Sequence, residues 1–257
     1  MFRDAARRLL YLIPSETREH LGFALIHTIS ERRKFARGLP SVEGLLESAR
    51  AAGFAPRSVV DIGANVGDWS RMAARLFPSA AILMIDGDPS QSAQLAAVAG
   101  DIGSRAAREI ALLGSEPKSG VTFYQMGPGS SVLPELTDFS RNEIRLPMST
   151  LDSVAAGHSV AAPLLMKLDV QGLEIDVMRG GGKTLALAEM VILEASLLQY
   201  NEGGPLLPEV VAFMDDAGFT VYDFCGQFRR VSDHALFQTD VAFVRRDSKL
   251  RQRKAFF

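Results

Sequence analysis

Four carboxylates fall where short apolar runs of this chain end: Asp61 in Val59-Val60-Asp61-Ile62, Asp86 after Ile82-Leu83-Met84-Ile85, Asp169 after Lys167-Leu168, and Glu194 after Ile192-Leu193. In an open α/β sheet, ligands collect beyond the carboxyl ends of the strands. Four acids at neighbouring tips therefore form one electronegative rim, which suits a positively charged cofactor better than a pyrophosphate. The first tip continues as Gly63-Ala64-Asn65-Val66-Gly67. Its two glycines let the backbone turn tightly and approach a ligand, and the helix that follows offers unpaired N–H groups. Asn65 stands where a G-x-G-x-x-G loop needs its second glycine, which disfavours pyrophosphate contact. Asp86 lies 25 positions after Asp61, near the place where an acid accepts hydrogen bonds from ribose hydroxyls. Asp61, Gly63, Ala64, Asn65, Gly67 and Asp86 thus read as a nucleoside-cofactor cradle. The plainer alternative makes Asp61 a turn cap, Asn65 a left-handed hinge and Asp86 a solvated acid.

The elements that must position these residues follow from the apolar pattern. Strands are expected at 58–62, 81–85, 108–113, 164–168, 190–195, 219–224 and 239–245, and helices at 67–77, 90–99, 173–180 and 205–217. This alternation predicts an α/β body with a mostly parallel sheet covered on both faces. The interval between the last two strands is too short for a helical crossover, so the final strand is expected to run antiparallel. Residues 114–163 break the alternation with short extra strands and a Gly127-Pro128-Gly129-Ser130-Ser131 loop, an insertion of the kind that shapes a substrate pocket. Residues 1–55 read as an N-terminal helical cap and 56–257 as the α/β domain.

With 257 residues and 47% hydrophobic content, the chain can bury a sizeable core. Net charge is −2, so no global charge argues for nucleic acid. Residues 1–40 carry eight Lys/Arg against four Asp/Glu, and 245–257 carry six against one. These basic ends on an acidic body suggest peripheral lipid contact or solvated helix faces. The leader could also serve a homodimer. Cys225 is the only cysteine, which excludes an intrachain disulfide and fits a small core hydrophobe. No secretory pattern or transmembrane window is expected, and the reading is cytoplasmic.

The order Asp61-x-Gly-Ala-Asn-x-Gly67, the acid at 86 with Pro89 after it, Ser149-Thr150-Leu151-Asp152, Lys167-Leu168-Asp169-Val170-Gln171-Gly172-Leu173-Glu174 with Arg179-Gly180, and Ile192-Leu193-Glu194 resembles the FkbM-type family of S-adenosylmethionine-dependent methyltransferases. The similarity spans roughly 57–245, and the Lys-x-Asp-x-Gln/Glu-Gly-x-Glu block is its most specific part. Asp86-Gly87-Asp88-Pro89 departs from the family's Glu-Pro, and no acid follows Leu112-Leu113-Gly114-Ser115 before Glu116 to hold an adenine amine. The resemblance implies a Rossmann-like seven-stranded sheet, S-adenosyl-L-methionine as cofactor, and methyl transfer to a hydroxyl of a sugar, glycolipid or secondary metabolite.

A sulfonium brings its own leaving group, so the protein must mainly align the acceptor oxygen and exclude water. Removing the hydroxyl proton is the remaining task. Asp169, Glu194 and His234 are the candidates for it, and Asp169 is equally suited to hold the cofactor's amino group. Lys167 reads as an ion-pair partner, and Glu174 as an acid favoured by a helix N-terminus. Gly182-Lys183-Thr184 imitates a P-loop end, but position 177 is Val where that loop needs Gly. No spaced ligand set demands a metal, and none is assigned. Two rivals carry different chemistry: an NAD(P)-dependent oxidoreductase, against which Asn65 argues, and a non-catalytic cofactor-binding scaffold recruited through the basic ends.

Overall fold

The computed structural model describes residues 40–137 and 140–252. The part of the expected N-terminal cap before residue 40 and the basic residues after 252, on which the lipid and dimer expectations rest, lie outside the described residues. Every element below belongs to one compact unit, Val42–Phe257.

A central sheet is formed by β1 (Ser58–Ile62), β2 (Ala81–Asp86), β3 (Ala106–Ile110), β7 (Leu164–Leu168), β8 (Ala188–Ser196), β9 (Phe219–Arg229) and β10 (Leu236–Arg245), in the order β3-β2-β1-β7-β8-β10-β9. Neighbours from β3 to β8 pair in parallel. The last strand, β10, pairs antiparallel with both β8 and β9. This is the seven-stranded, mostly parallel Rossmann-like sheet expected from the alternation. The order reverses at β1, with β2 on one side and β7 on the other, so the switch point falls at the Asp61–Gly67 loop.

Period-2 alternation sorts each strand's side chains into two layers. Val60, Ile62, Leu83, Ile85, Met166, Leu168, Val191 and Leu193 face one layer, while Val59, Ile82, Met84, Leu165, Met190 and Ile192 face the other. The first layer is closed by α4 (Leu151–Ala155), α5 (Glu174–Arg179), α6 (Gly182–Ala186) and α7 (Leu207–Asp216). The second is closed by α1 (Val42–Ala51), α2 (Asp68–Leu76) and α3 (Ser92–Ile102). Leu45, Leu46 and Ala49 of α1 are buried within that second layer.

Two expectations are corrected. The strand expected over 108–113 is two strands in different sheets: β3 ends at Ile110, and β4 (Leu112–Leu113) pairs with β6 (Asn142–Ser149). With β5 (Lys118–Gln125), these form a separate three-stranded sheet, order β4-β6-β5, which is the body of the insertion. Ile110-Ala111-Leu112-Leu113 is continuously apolar, so the pattern carries no mark of the jump. The late strands are also longer than 219–224 and 239–245. They continue past the end of β8 as a hairpin whose polar, aromatic-poor tip at 230–235 carries no apolar alternation to mark it. Among the described residues no helix is long and apolar enough to cross a membrane.

Candidate active site

The loop after β1 is held by its backbone. Gly63 has φ of 74°, and a Cβ there would run into the carbonyl oxygen of Asp169, so only glycine lets the β1 and β7 loops meet. Asn65 takes a left-handed φ of 48°, a conformation in which Asn is enriched, and its N–H donates to Asp86 Oδ2 at 2.6 Å. Asp86 Oδ1 accepts from the Asp88 N–H at 2.8 Å. Burial raises the Asp86 carboxyl above its usual range, although these two N–H donors oppose the shift. Ala64 is buried in the core layer beneath, and Gly67 packs on Val98 with φ of 80°.

Below this loop lies a fully buried Asp61. Its Oδ2 accepts from Ser70 Oγ at 2.6 Å. Its Oδ1 makes no hydrogen bond but stands 3.5 Å from Lys167 Nζ, its register partner on β7. Burial raises Asp61, with Lys167 pulling it back. The ammonium also donates to the Gly63 carbonyl at 2.9 Å and lies 3.3 Å from Asp169 Oδ2. Burial alone would lower the Lys167 pKa, but Asp169 and Asp61 more than offset it and raise it. Lys167 is thus the cation that lets Asp61 and Asp169 share one site.

Beyond β7 the chain turns sharply, with Gln171 at φ of 52° and Gly172 at 97°. Gln171 Nε2 donates to Asp169 Oδ1 at 2.8 Å and to Glu194 Oε2 at 2.9 Å. Gln238 Nε2, from β10, donates to the same Glu194 oxygen at 2.8 Å. Burial, reinforced by Asp169, Asp240 and Glu174, holds the Glu194 carboxyl well above the usual range. Glu174, the first residue of α5, turns back to accept from the Val170 and Gly172 N–H groups, both at 3.2 Å. Burial pushes it up to about 7.

These elements border a cleft of ≈ 700 Å³, its open mouth included. Gly63, Asn65, Asp86 and Asp169 line it, Asp61, Ala64 and Gly67 support it from outside the lining, and Glu194 lies behind Asp169 and Gln171, likewise outside the lining. One wall is apolar, with Leu112, Leu113 and Phe123 from the insertion sheet. The insertion also forms a roof: Ser131 Oγ donates to the Gln171 carbonyl at 2.8 Å, and Glu135 bridges Asn201 in the segment after β8. Tyr200 beside it is raised by burial and by Glu135. His234 is exposed at the β9–β10 turn with φ of 60° and is not part of the lining. Among the described residues no group of three or more His, Cys, Asp or Glu converges as metal ligands would.

Gln171, Gln238, Ser131 and Phe123 were not among the expected site residues. Gln171 sat inside the quoted motif, and its signal was an amide between two acids at 169 and 174. Gln238 had no local signal, since only the antiparallel register of β10 on β8 brings it to Glu194.

The sequence matches the model of the Methyltransferase FkbM domain over residues 61–221, more than half of the chain. No functionally curated protein matches it. Similar solved structures include precorrin-6y C5,15-methyltransferase from Geobacter metallireducens GS-15 (11% identity, 79% of this chain and 88% of that one, TM-score 0.44). Others are magnesium protoporphyrin IX methyltransferase from Synechocystis PCC 6803 with bound SAM (13%, 79% and 76%, 0.44) and the O-methyltransferase TomG from Streptomyces achromogenes in complex with SAM (15%, 85% and 88%, 0.45). With the motif order seated on a switch-point cleft and the domain model spanning both of its halves, the chain belongs to the FkbM family of S-adenosylmethionine-dependent methyltransferases.

Proposed function

We propose that the protein methylates a hydroxyl oxygen of a sugar, glycolipid or secondary metabolite, with Glu194 as the base and Asp169 orienting the reactants. S-adenosyl-L-methionine supplies, when bound, an electrophilic methyl group on a sulfonium that leaves as a neutral thioether. The cleft fits that donor in charge and texture. Its rim carries Asp86, Asp88 and Asp169, and its apolar wall of Leu112, Leu113 and Phe123 offers a planar base a dry surface. Asp86 would hold the ribose, the Gly63 and Asn65 backbone would bound the amino-acid end, and Asp169 would receive its ammonium. Asp61, Ala64 and Gly67 act by holding that loop.

The observation that carries the hydroxyl reading is Glu194. Its Oε2 accepts two amides, and Oε1 has no partner among the described residues. A carboxylate whose proton affinity is raised well above the usual range by burial and by Asp169 is a stronger base toward an alcohol's proton. His234, at the exposed turn, is left out of this machinery. The test is a screen of radiolabelled methyl transfer from S-adenosylmethionine to sugar, glycolipid and metabolite hydroxyls, beside calorimetric titration with S-adenosylhomocysteine. Methylation of an alcohol that falls in parallel with Glu194→Gln is the expected result. Absence of any S-adenosylhomocysteine binding by folded protein overturns the reading.

A further inference from the structure

Asp169 and Glu194 are carried by different strands, and one side chain joins them. Gln171 Nε2 has two protons, one directed at Asp169 Oδ1 at 2.8 Å and the other at Glu194 Oε2 at 2.9 Å. The amide orientation is dictated chemically, because a carbonyl oxygen cannot face two carboxylates. The residue holding this bridge sits at φ of 52°, a conformation that costs a side-chain-bearing residue free energy and persists only where the surroundings over-determine it. Here they do. Glu174 binds the N–H on either side, at 170 and 172, and Ser131 Oγ of the insertion clamps the Gln171 carbonyl at 2.8 Å. Ser131 is itself fixed by bridging Tyr124 of β5. A continuous set of hydrogen bonds therefore runs from the insertion sheet through Ser131 and Gln171 to both carboxylates.

We propose that Gln171 is the positioning residue of the acceptor half: it sets the spacing of Asp169 and Glu194, and through Ser131 it ties that spacing to the seating of the insertion over a hydroxyl-bearing acceptor. This rests on the hydroxyl-methylation reading. The charged groups facing Glu194 are Asp169, Asp240, Glu174 and Lys167. Against burial and those acids, the two amide donors favour the ionised form of Glu194. The amide oxygen of Gln171 is left to accept a hydrogen bond from the acceptor's hydroxyl before Glu194 takes its proton.

The test is a ¹³C-carboxyl NMR titration of the full chain, with Glu194 assigned by its absence in Glu194→Gln. Removing a donor from a carboxylate disfavours its charged form. Gln171→Leu should therefore raise the Glu194 midpoint by about one pH unit, and Ser131→Ala by a smaller amount in the same direction. Gln171→Asn, too short to span both acids, gives the same reading if the leucine variant fails to fold. S-adenosylhomocysteine binding, measured on the same samples, should persist, which shows that the cleft is still folded, and should weaken as Asp169 loses its Oδ1 contact. An unmoved midpoint in the Gln171 variants overturns the positioning role, and an unmoved midpoint in Ser131→Ala overturns its link to the insertion. Wild-type protein that binds no S-adenosylhomocysteine removes the methyl-transfer reading instead, a result separate from the midpoints.

Discussion

The proposed cofactor half and the proposed acceptor half of the site are built on opposite plans. Around Gly63, Asn65 and Asp86, the backbone sets the geometry: the N–H groups of Asn65 and Asp88, at the tips of β1 and β2, hold the Asp86 carboxylate at 2.6 and 2.8 Å. Around Glu194, side chains set it, and they come from β7's following turn, β8, β10 and the insertion. A backbone plan tolerates few substitutions but needs only a short motif. A side-chain plan can change its acceptor by replacing one contributor at a time, which is how one fold serves many substrates.

The comparison is broken most decisively at Glu194. If the acceptor half performs the proton transfer, Glu194→Gln should lower turnover by about 10²- to 10⁴-fold, while S-adenosylhomocysteine affinity by calorimetry stays near wild type. Loss of both in proportion would merge the two halves into one. Gly63→Ala makes the opposite cut. Its Cβ would displace the Asp169 carbonyl and its φ of 74° is strained for alanine, so we expect roughly 3 kcal/mol lost in the thermal transition or in cofactor affinity. A variant with wild-type melting and binding would show that the β1 and β7 loops can separate freely.

This division also explains what the sequence disclosed. The parallel core was legible because alternating burial on both faces leaves continuous apolar runs at Val59-Val60, Ile82 to Ile85 and Leu164 to Met166. The cofactor loop was legible because its constraints are local: a glycine where a Cβ has no room, an Asn where φ is positive. By contrast, Leu112-Leu113 gave no sign of leaving the central sheet for the insertion sheet, since both positions are buried either way. Gln238 reaches Glu194 only through a register that spans 44 residues. Long-range pairing of polar groups has no periodicity, so the acceptor half was visible at its strand-tip acids and hidden in the amides that hold them.

Glu174 sharpens the boundary between the halves through pH. Its carboxyl is raised in the folded protein to about 7 from an ordinary 4.5, so the native state binds the extra proton between those values. Such a group favours the folded state fully below the unfolded value, and that contribution is lost as pH rises through about 7. Stability should therefore decline from pH 5 to pH 8 through this residue. Glu174→Gln keeps an oxygen to accept from Val170 and Gly172 but cannot ionise. It should flatten the slope and stabilise the protein at pH 8 by about 1 to 3 kcal/mol in denaturant unfolding. An unchanged slope would mean that Glu174 remains ionised and that the turn carrying Gln171 is held by charge.

The smallest effect is expected at His234, where chemical type and position disagree. An imidazole is the side chain best matched to proton transfer near neutrality, yet this one occupies an exposed turn. There its N–H donates to the Arg230 carbonyl, and its own carbonyl accepts from Arg229. Both roles are backbone roles, and the φ of 60° asks for a residue tolerant of the left-handed region. Asn meets those demands without an imidazole. His234→Asn should then leave turnover within about twofold across pH 6 to 9, because no titrating group has been removed from the cleft. A lost acidic limb in that pH profile would place the hairpin tip over the acceptor during turnover and extend the side-chain plan to a fifth segment.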